Sequence, residues 1–144
     1  MEKRRLGNSD LEVSVIGFGC WAIAGGFTWG EQEEADTFAA FEAAIDAGIN
    51  FFDTAPMYGD GLSETLIGRG LREQRQKILI GTKATPGDFA PEALGVSCDK
   101  SLQRLKTDYI DLFQLHWPNR DIPIAETLGA LSDLVQEGKI REIG

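Results

Sequence analysis

Four positions that close short apolar runs, Gly19, Asp53, Lys83 and His116, fall 34, 30 and 33 residues apart. That interval is one strand plus one returning helix. Apolar runs at residues 13–19, 49–53, 78–83 and 109–116 read as strands. Between them lie helical patterns at 33–47, 63–72, 88 onward and 125–137. Phe38, Phe41 and Ile45 share one face of the first, and Leu94, Cys98, Leu102 and Leu105 one face of the third. Leu128, Leu131, Leu134 and Val135 are expected to face inward from the last. Gly48 and Gly138 stop two of the helices, while Asp88 as N-cap and Pro91 in the first turn open the third. Residues 139–144 begin a fifth strand, and residues 3–12, with the Gly7-Asn8 turn, suit a short hairpin. Strands alternating with helices imply an α/β fold with a parallel sheet and right-handed crossovers.

Such sheets bind ligands at the carboxyl ends of their strands, where all four positions lie. Side chains alternate along a strand, so Phe51 with Asp53, Gly81 with Lys83, and Gln114 with His116 share faces. If the sheet curls into a barrel, Asp53, Lys83 and His116 point into one mouth.

Composition narrows the chemistry. The chain has 144 residues, 42% hydrophobic and 26% charged, an ordinary globular makeup for one domain spanning 1–144. A net charge of −9 argues against nucleic acid or an anionic membrane as partner. No signal peptide or transmembrane run is visible. Cys20 and Cys98 show no metal or disulfide spacing, which suits a reduced, cytoplasmic protein. With one histidine, a zinc site would need carboxylates or the distant cysteines, and none is expected. Gly17-Phe18-Gly19 and Gly59-Asp60-Gly61 match neither nucleotide-binding glycine fingerprint, and read as tight turns.

Asp53 and Lys83 are opposite charges on neighbouring strands. They read either as a surface ion pair of little worth or as a partly buried pair that tunes a third group. Tyr58, five residues past Asp53, is a candidate for that group. A nearby ammonium favours phenolate over phenol, which lets a tyrosine act as a proton donor to a carbonyl oxygen. His116 is either a packed core imidazole or a site residue. Trp21, Phe27, Trp29 and Trp117 lie on loops at the same end, where they line an apolar pocket or plug the barrel top.

Taken together, these residues resemble the catalytic tetrad of the aldo-keto reductases. The resemblance is carried by Gly48-Ile49-Asn50-Phe51-Phe52-Asp53-Thr54-Ala55, Tyr58-Gly59, Ser63-Glu64 and Leu66-Ile67-Gly68, then by Ile80-Gly81-Thr82-Lys83 and Leu115-His116-Trp117-Pro118. Gly17-Phe18-Gly19-Cys20-Trp21-Ala22-Ile23 and Lys139-Ile140-Arg141-Glu142-Ile143-Gly144 are similar to bacterial members akin to general stress protein 69. The resemblance implies an NADP-dependent oxidoreductase that reduces aldehydes or ketones by hydride transfer from NADPH. Tyr58 would be the proton donor, Lys83 its activating cation, Asp53 the partner of Lys83 and of the nicotinamide ribose, and His116 the group that orients the carbonyl. Cys20 and Trp21 would border the nicotinamide, and Trp21 and Trp117 the substrate pocket.

The family fold is a (β/α)8 barrel of the TIM type, which takes about 250 residues. This chain holds about its first four βα units, a half-barrel, with most of the NADPH grip expected elsewhere. Open strand edges and an apolar inner face favour association, either as a homodimer about the barrel axis with eight parallel strands or with a carboxyl-terminal half. The alternative to an enzyme's front half is a non-catalytic half-barrel that serves as a self-associating assembly or regulatory module.

Overall fold

The computed structural model describes residues 1–144. An antiparallel hairpin comes first, β1 (Lys3–Arg5) and β2 (Glu12–Ser14). Gly7, at φ +57°, makes its turn, closed by the Leu6 amide on the Leu11 carbonyl at 2.8 Å. Five parallel strands follow: β3 (Phe18–Gly19), β4 (Phe51–Asp53), β5 (Leu79–Ala84), β6 (Ile110–Leu115) and β7 (Ile140–Ile143). The helices are α1 (Gly26–Trp29), α2 (Glu34–Asp46), α3 (Leu62–Gly70), α4 (Pro91–Leu105) and α5 (Ile124–Gln136).

Spatial order in the sheet equals chain order, β3-β4-β5-β6-β7. Each crossover therefore steps the same way, which is the winding of a barrel and not of a doubly wound sheet. Phe52, Ile80, Phe113 and Ala84 turn to the helix layer and join Phe41, Ile67, Leu94 and Leu131 in one core. Phe51 turns to the other face, where its ring needs room. A Cβ on Gly17 would stand 3.2 Å from Phe51 Cδ1, and one on Gly81 2.9 Å from Phe51 Cζ. Gly17 thus serves close approach rather than the tight turn expected of it, whereas Gly59 and Gly61 do take positive φ in a turn.

Three local expectations are corrected. Residues 13–19 are two strands and not one: Asn50 Oδ1 accepts the Ser14 amide at 2.7 Å and Ser14 Oγ donates to the Ile16 carbonyl, so the chain bends between hairpin and sheet. Asp88 does not cap α4. It ends a 3₁₀ turn, and its Oδ2 accepts Thr85 Oγ1 and Ser97 Oγ, while Ala90 holds the N-cap position. On α5, Leu131 and Leu134 are buried against α4 and β7, but Leu128 and Val135 are exposed on the flank that these elements leave uncovered. No helix is long and apolar enough to cross a membrane.

Candidate active site

Parallel pairing sets Gly19 beside Asp53, Asp53 beside Gly81, and Lys83 beside Gln114. The expected shared mouth is present. Lys83 reaches back across the sheet end, and its Nζ donates to Asp53 Oδ1 at 2.9 Å, Asp53 Oδ2 at 3.0 Å and the Thr54 carbonyl at 2.7 Å. Only 11% of the Lys83 side chain is exposed, against 36% for Asp53. This is the partly buried pair, not the solvated one, so geometry rather than screening governs it. A buried ammonium with three acceptors has little freedom left.

The turn after β4 brings Tyr58 onto this ammonium. Its hydroxyl lies 3.5 Å from Lys83 Nζ, which also stands 5.1 Å from the ring centroid. The turn is locked by the Tyr58 amide on the Ala55 carbonyl and by the Ser63 amide on the Tyr58 carbonyl. A Cβ on Gly59 would meet Ala24 Cβ at 2.8 Å, so the turn presses directly on the segment after β3.

His116 follows β6, its amide bonded to the Ala84 carbonyl at 3.1 Å. Its ring centroid is 6.2 Å from that of Tyr58 and is stacked on Trp117 at 3.9 Å and 11°. Burial, and then the Lys83 charge, hold the imidazole below its ordinary pKa of 6.5, partly offset by Asp53. The ring is therefore neutral at pH 7. Nδ1 is buried without a partner. Orphaned N–H groups are rarer than orphaned acceptors, which assigns the proton to Nε2, the nitrogen that is not buried.

The aromatic residues divide. Trp21 lies 6.2 Å from Tyr58 and meets Trp29 edge-on at 5.6 Å, and Trp117 backs His116, each about half exposed. Phe27 is fully exposed and lines nothing. Cys20 is fully buried, with Sγ 3.5 Å from the Phe18 carbonyl, so of the Cys20-Trp21 pair only the tryptophan faces the mouth. Burial pushes the Cys20 thiol far up, which keeps it protonated and inert. The Thr54 carbonyl, which holds Lys83, has no signal in the sequence because it is backbone.

Residues 15–144 match the Aldo/keto reductase family. Aldo-keto reductase YhdN of Bacillus subtilis is 40% identical over all of this chain and 46% of its own length. Among solved structures, the thermostable aldo-keto reductase Tm1743 superposes with a TM-score of 0.92 at 36% identity, over all of this chain and 53% of its own. An aldo-keto reductase from Klebsiella pneumoniae in complex with NADPH gives a TM-score of 0.84 at 38% identity, over 92% of this chain and 45% of its own. The chain thus spans about half the length of the relatives it matches. The chain belongs to the aldo/keto reductase family.

Proposed function

We propose that these residues form the catalytic half of an NADPH-dependent carbonyl reductase, with Tyr58 as proton donor. The observation that carries this reading is the Lys83 ammonium, held by Asp53 and the Thr54 carbonyl and reaching the Tyr58 hydroxyl, with the neutral His116 ring beside it. His116 Nε2–H donates a hydrogen bond to the substrate carbonyl oxygen. Tyr58 gives its proton to that same oxygen, and the Lys83 ammonium stabilises the phenolate left behind. Asp53 keeps the ammonium from turning out to solvent. The Lys83–Tyr58 contact, at 3.5 Å, is at the long end for a hydrogen bond, and Lys83 Nζ also faces the Tyr58 ring at 5.1 Å.

The residues present fit the nicotinamide end of the cofactor. A Cβ on Gly19 would meet open space, Trp21 offers a half-exposed indole, and the Asp53 carboxylate is free enough to accept from a ribose hydroxyl. NADPH, when bound, supplies the hydride. Its diphosphate grip is assigned to residues outside this chain, since late strands carry that loop in such barrels. The small-molecule substrate is an aldehyde or ketone seated against Trp21 and Trp117, and no metal is needed.

The flank of α5 and β7 supports the second part of the proposal, that this half-barrel works in association. Ile124, Leu128, Val135 and Ile143 are exposed there, and both β3 and β7 have open edges. Five strands per copy would give a homodimer ten strands and not eight, so a carboxyl-terminal segment that supplies the three remaining strands is the partner that closes the family fold. A non-catalytic, self-associating module remains the second reading, supported by the same exposed flank. The test is reconstitution. Mixing the chain with the carboxyl-terminal half of the Bacillus relative should yield carbonyl-dependent NADPH oxidation, followed by nicotinamide absorbance. A stable homo-oligomer in sedimentation that neither accepts that half nor gains activity would favour the second reading.

A further inference from the structure

Past the Thr54 amide, β4 and β5 are no longer laced by backbone. The last bond between them runs from the Thr54 amide to the Gly81 carbonyl at 2.8 Å, and the Thr54 carbonyl accepts Lys83 Nζ where a further ladder amide would have bonded. The relative position of Asp53 and Lys83 therefore needs another constraint. Side chains alternate along a strand, so Thr54 and Thr82, the immediate neighbours of these two residues, turn to the helix layer. Both are fully buried and both end on consecutive residues in the first turn of α3.

Thr82 Oγ1 donates to Glu64 Oε1 at 2.6 Å. Glu64 is fully buried, and its other oxygen accepts Arg104 Nε of α4 at 2.6 Å. Thr54 Oγ1 lies 2.8 Å from Ser63 Oγ. The single Ser63 hydroxyl proton goes to the Cys20 carbonyl at 2.7 Å, so Thr54 is the donor in that pair. One dipeptide thus grips the segment after β3, the end of β4 and the end of β5. It also directly follows the turn that carries Tyr58. A carboxylate buried to this degree costs several kcal/mol in desolvation, and nothing about covering the sheet requires one here.

We propose that Ser63 and Glu64 are positioning residues of the site: through Thr54 and Thr82 they fix where Asp53 and Lys83 stand, and so the distance from the Lys83 ammonium to Tyr58 and His116. This rests on the reading of Asp53, Lys83, Tyr58 and His116 as one site. Its test does not depend on turnover.

The lone histidine makes the test direct, because a proton NMR titration of this chain reads one imidazole without assignment. The groups that face His116 are Lys83, which depresses its titration, Asp53, which raises it, and Tyr58. Of the two charges, Lys83 has the larger effect, so loosening its seat moves the midpoint upward. Thr82→Val and Ser63→Ala should each raise the His116 midpoint by a few tenths of a unit. Thr82→Ser, which keeps the hydroxyl, should restore the wild-type value. Ile140→Val, a core truncation in β7, should lower stability and leave the midpoint in place. If Thr82→Val and Ser63→Ala lower the melting temperature but titrate like wild type, or if Ile140→Val shifts His116 equally, the dipeptide is merely structural and the proposal fails. Should Thr82→Val not fold, the comparison of Ser63→Ala with Ser63→Thr decides in the same way. A reconstituted barrel that reduces no carbonyl would refute the functional reading while leaving these midpoints as they are.

Discussion

Two arginine–carboxylate pairs with nearly equal shortest N···O distances should differ several-fold in worth, because one is buried. Asp111 on β6 is 1% exposed, forms an ion pair with Arg75 Nη2 at 2.7 Å, and accepts hydrogen bonds from Arg141 Nη1 at 2.8 Å and the Ile80 amide at 2.9 Å. Arg75 is itself only 12% exposed, stacks 3.9 Å over Tyr109 and also donates to the Ile78 and Tyr109 carbonyls. Asp111→Asn takes the compensating charge from a buried guanidinium and turns an amide group toward donors. Breaking a buried pair in this way costs about 3–5 kcal/mol. Arg141 is 46% exposed, so water replaces most of what it loses and adds at most about 1 kcal/mol. The contrasting pair is Arg69 and Glu34, bidentate at 2.6 and 2.7 Å but 46% and 44% exposed. Glu34→Gln should cost about 0–1 kcal/mol. Urea unfolding followed by circular dichroism measures both. Against a total stability of about 5–15 kcal/mol, Asp111→Asn should shift the midpoint markedly. A loss below about 1 kcal/mol for Asp111→Asn, or an equal loss for Glu34→Gln, would refute burial as the deciding factor.

Other outcomes follow from the same structure. The His116 resonance should titrate below its ordinary 6.5, and Lys83→Met should raise the midpoint by removing the charge that opposes imidazolium. Because the folded-state pKa is depressed, His116 contributes stability that is present above about pH 6.5 and lost as pH falls through its folded midpoint. Both thiols are buried, with Cys98 pushed up to about 12 by desolvation, so neither should react with a disulfide reagent at pH 8 until urea unfolds the chain. In α4, Gly95 has nothing within 4 Å of an added Cβ, so Gly95→Ala should stabilise by roughly 0.5–1 kcal/mol. In α3, a Cβ on Gly70 would meet the Phe38 ring at 2.7 Å, so Gly70→Ala should cost about 1–3 kcal/mol in the same urea assay.

Much of the fold and site was legible because strand period and helix period are local signals. The parity of Phe51 and Asp53, and of Gly81 and Lys83, was enough to bring the carboxylate and the ammonium to one mouth. What stayed hidden depends on distant partners. Residues 13–19 satisfy strand alternation whether whole or split, and the split is imposed by Asn50, 36 positions from Ser14. Leu128 and Val135 belong to an apolar stripe wider than the face that α4 and β7 cover, so they stay exposed. Glu64 and Asp111 are charged residues that composition assigns to the surface, and only the arginines facing them in the fold allow their burial. The Thr54 carbonyl is a backbone acceptor shared by every residue type, so its hold on Lys83 is written nowhere in the sequence.

The central claim is that Tyr58 delivers the proton in carbonyl reduction. It is tested most directly in the barrel reconstituted from this chain and a carboxyl-terminal half, by comparing wild type with Tyr58→Phe for kcat and for NADPH affinity. Loss of a general acid should lower kcat by roughly 10²–10⁴-fold while the Kd for NADPH, read by nicotinamide fluorescence, stays put. A Tyr58→Phe barrel that turns over within a factor of about two of wild type at the same Kd would contradict the account.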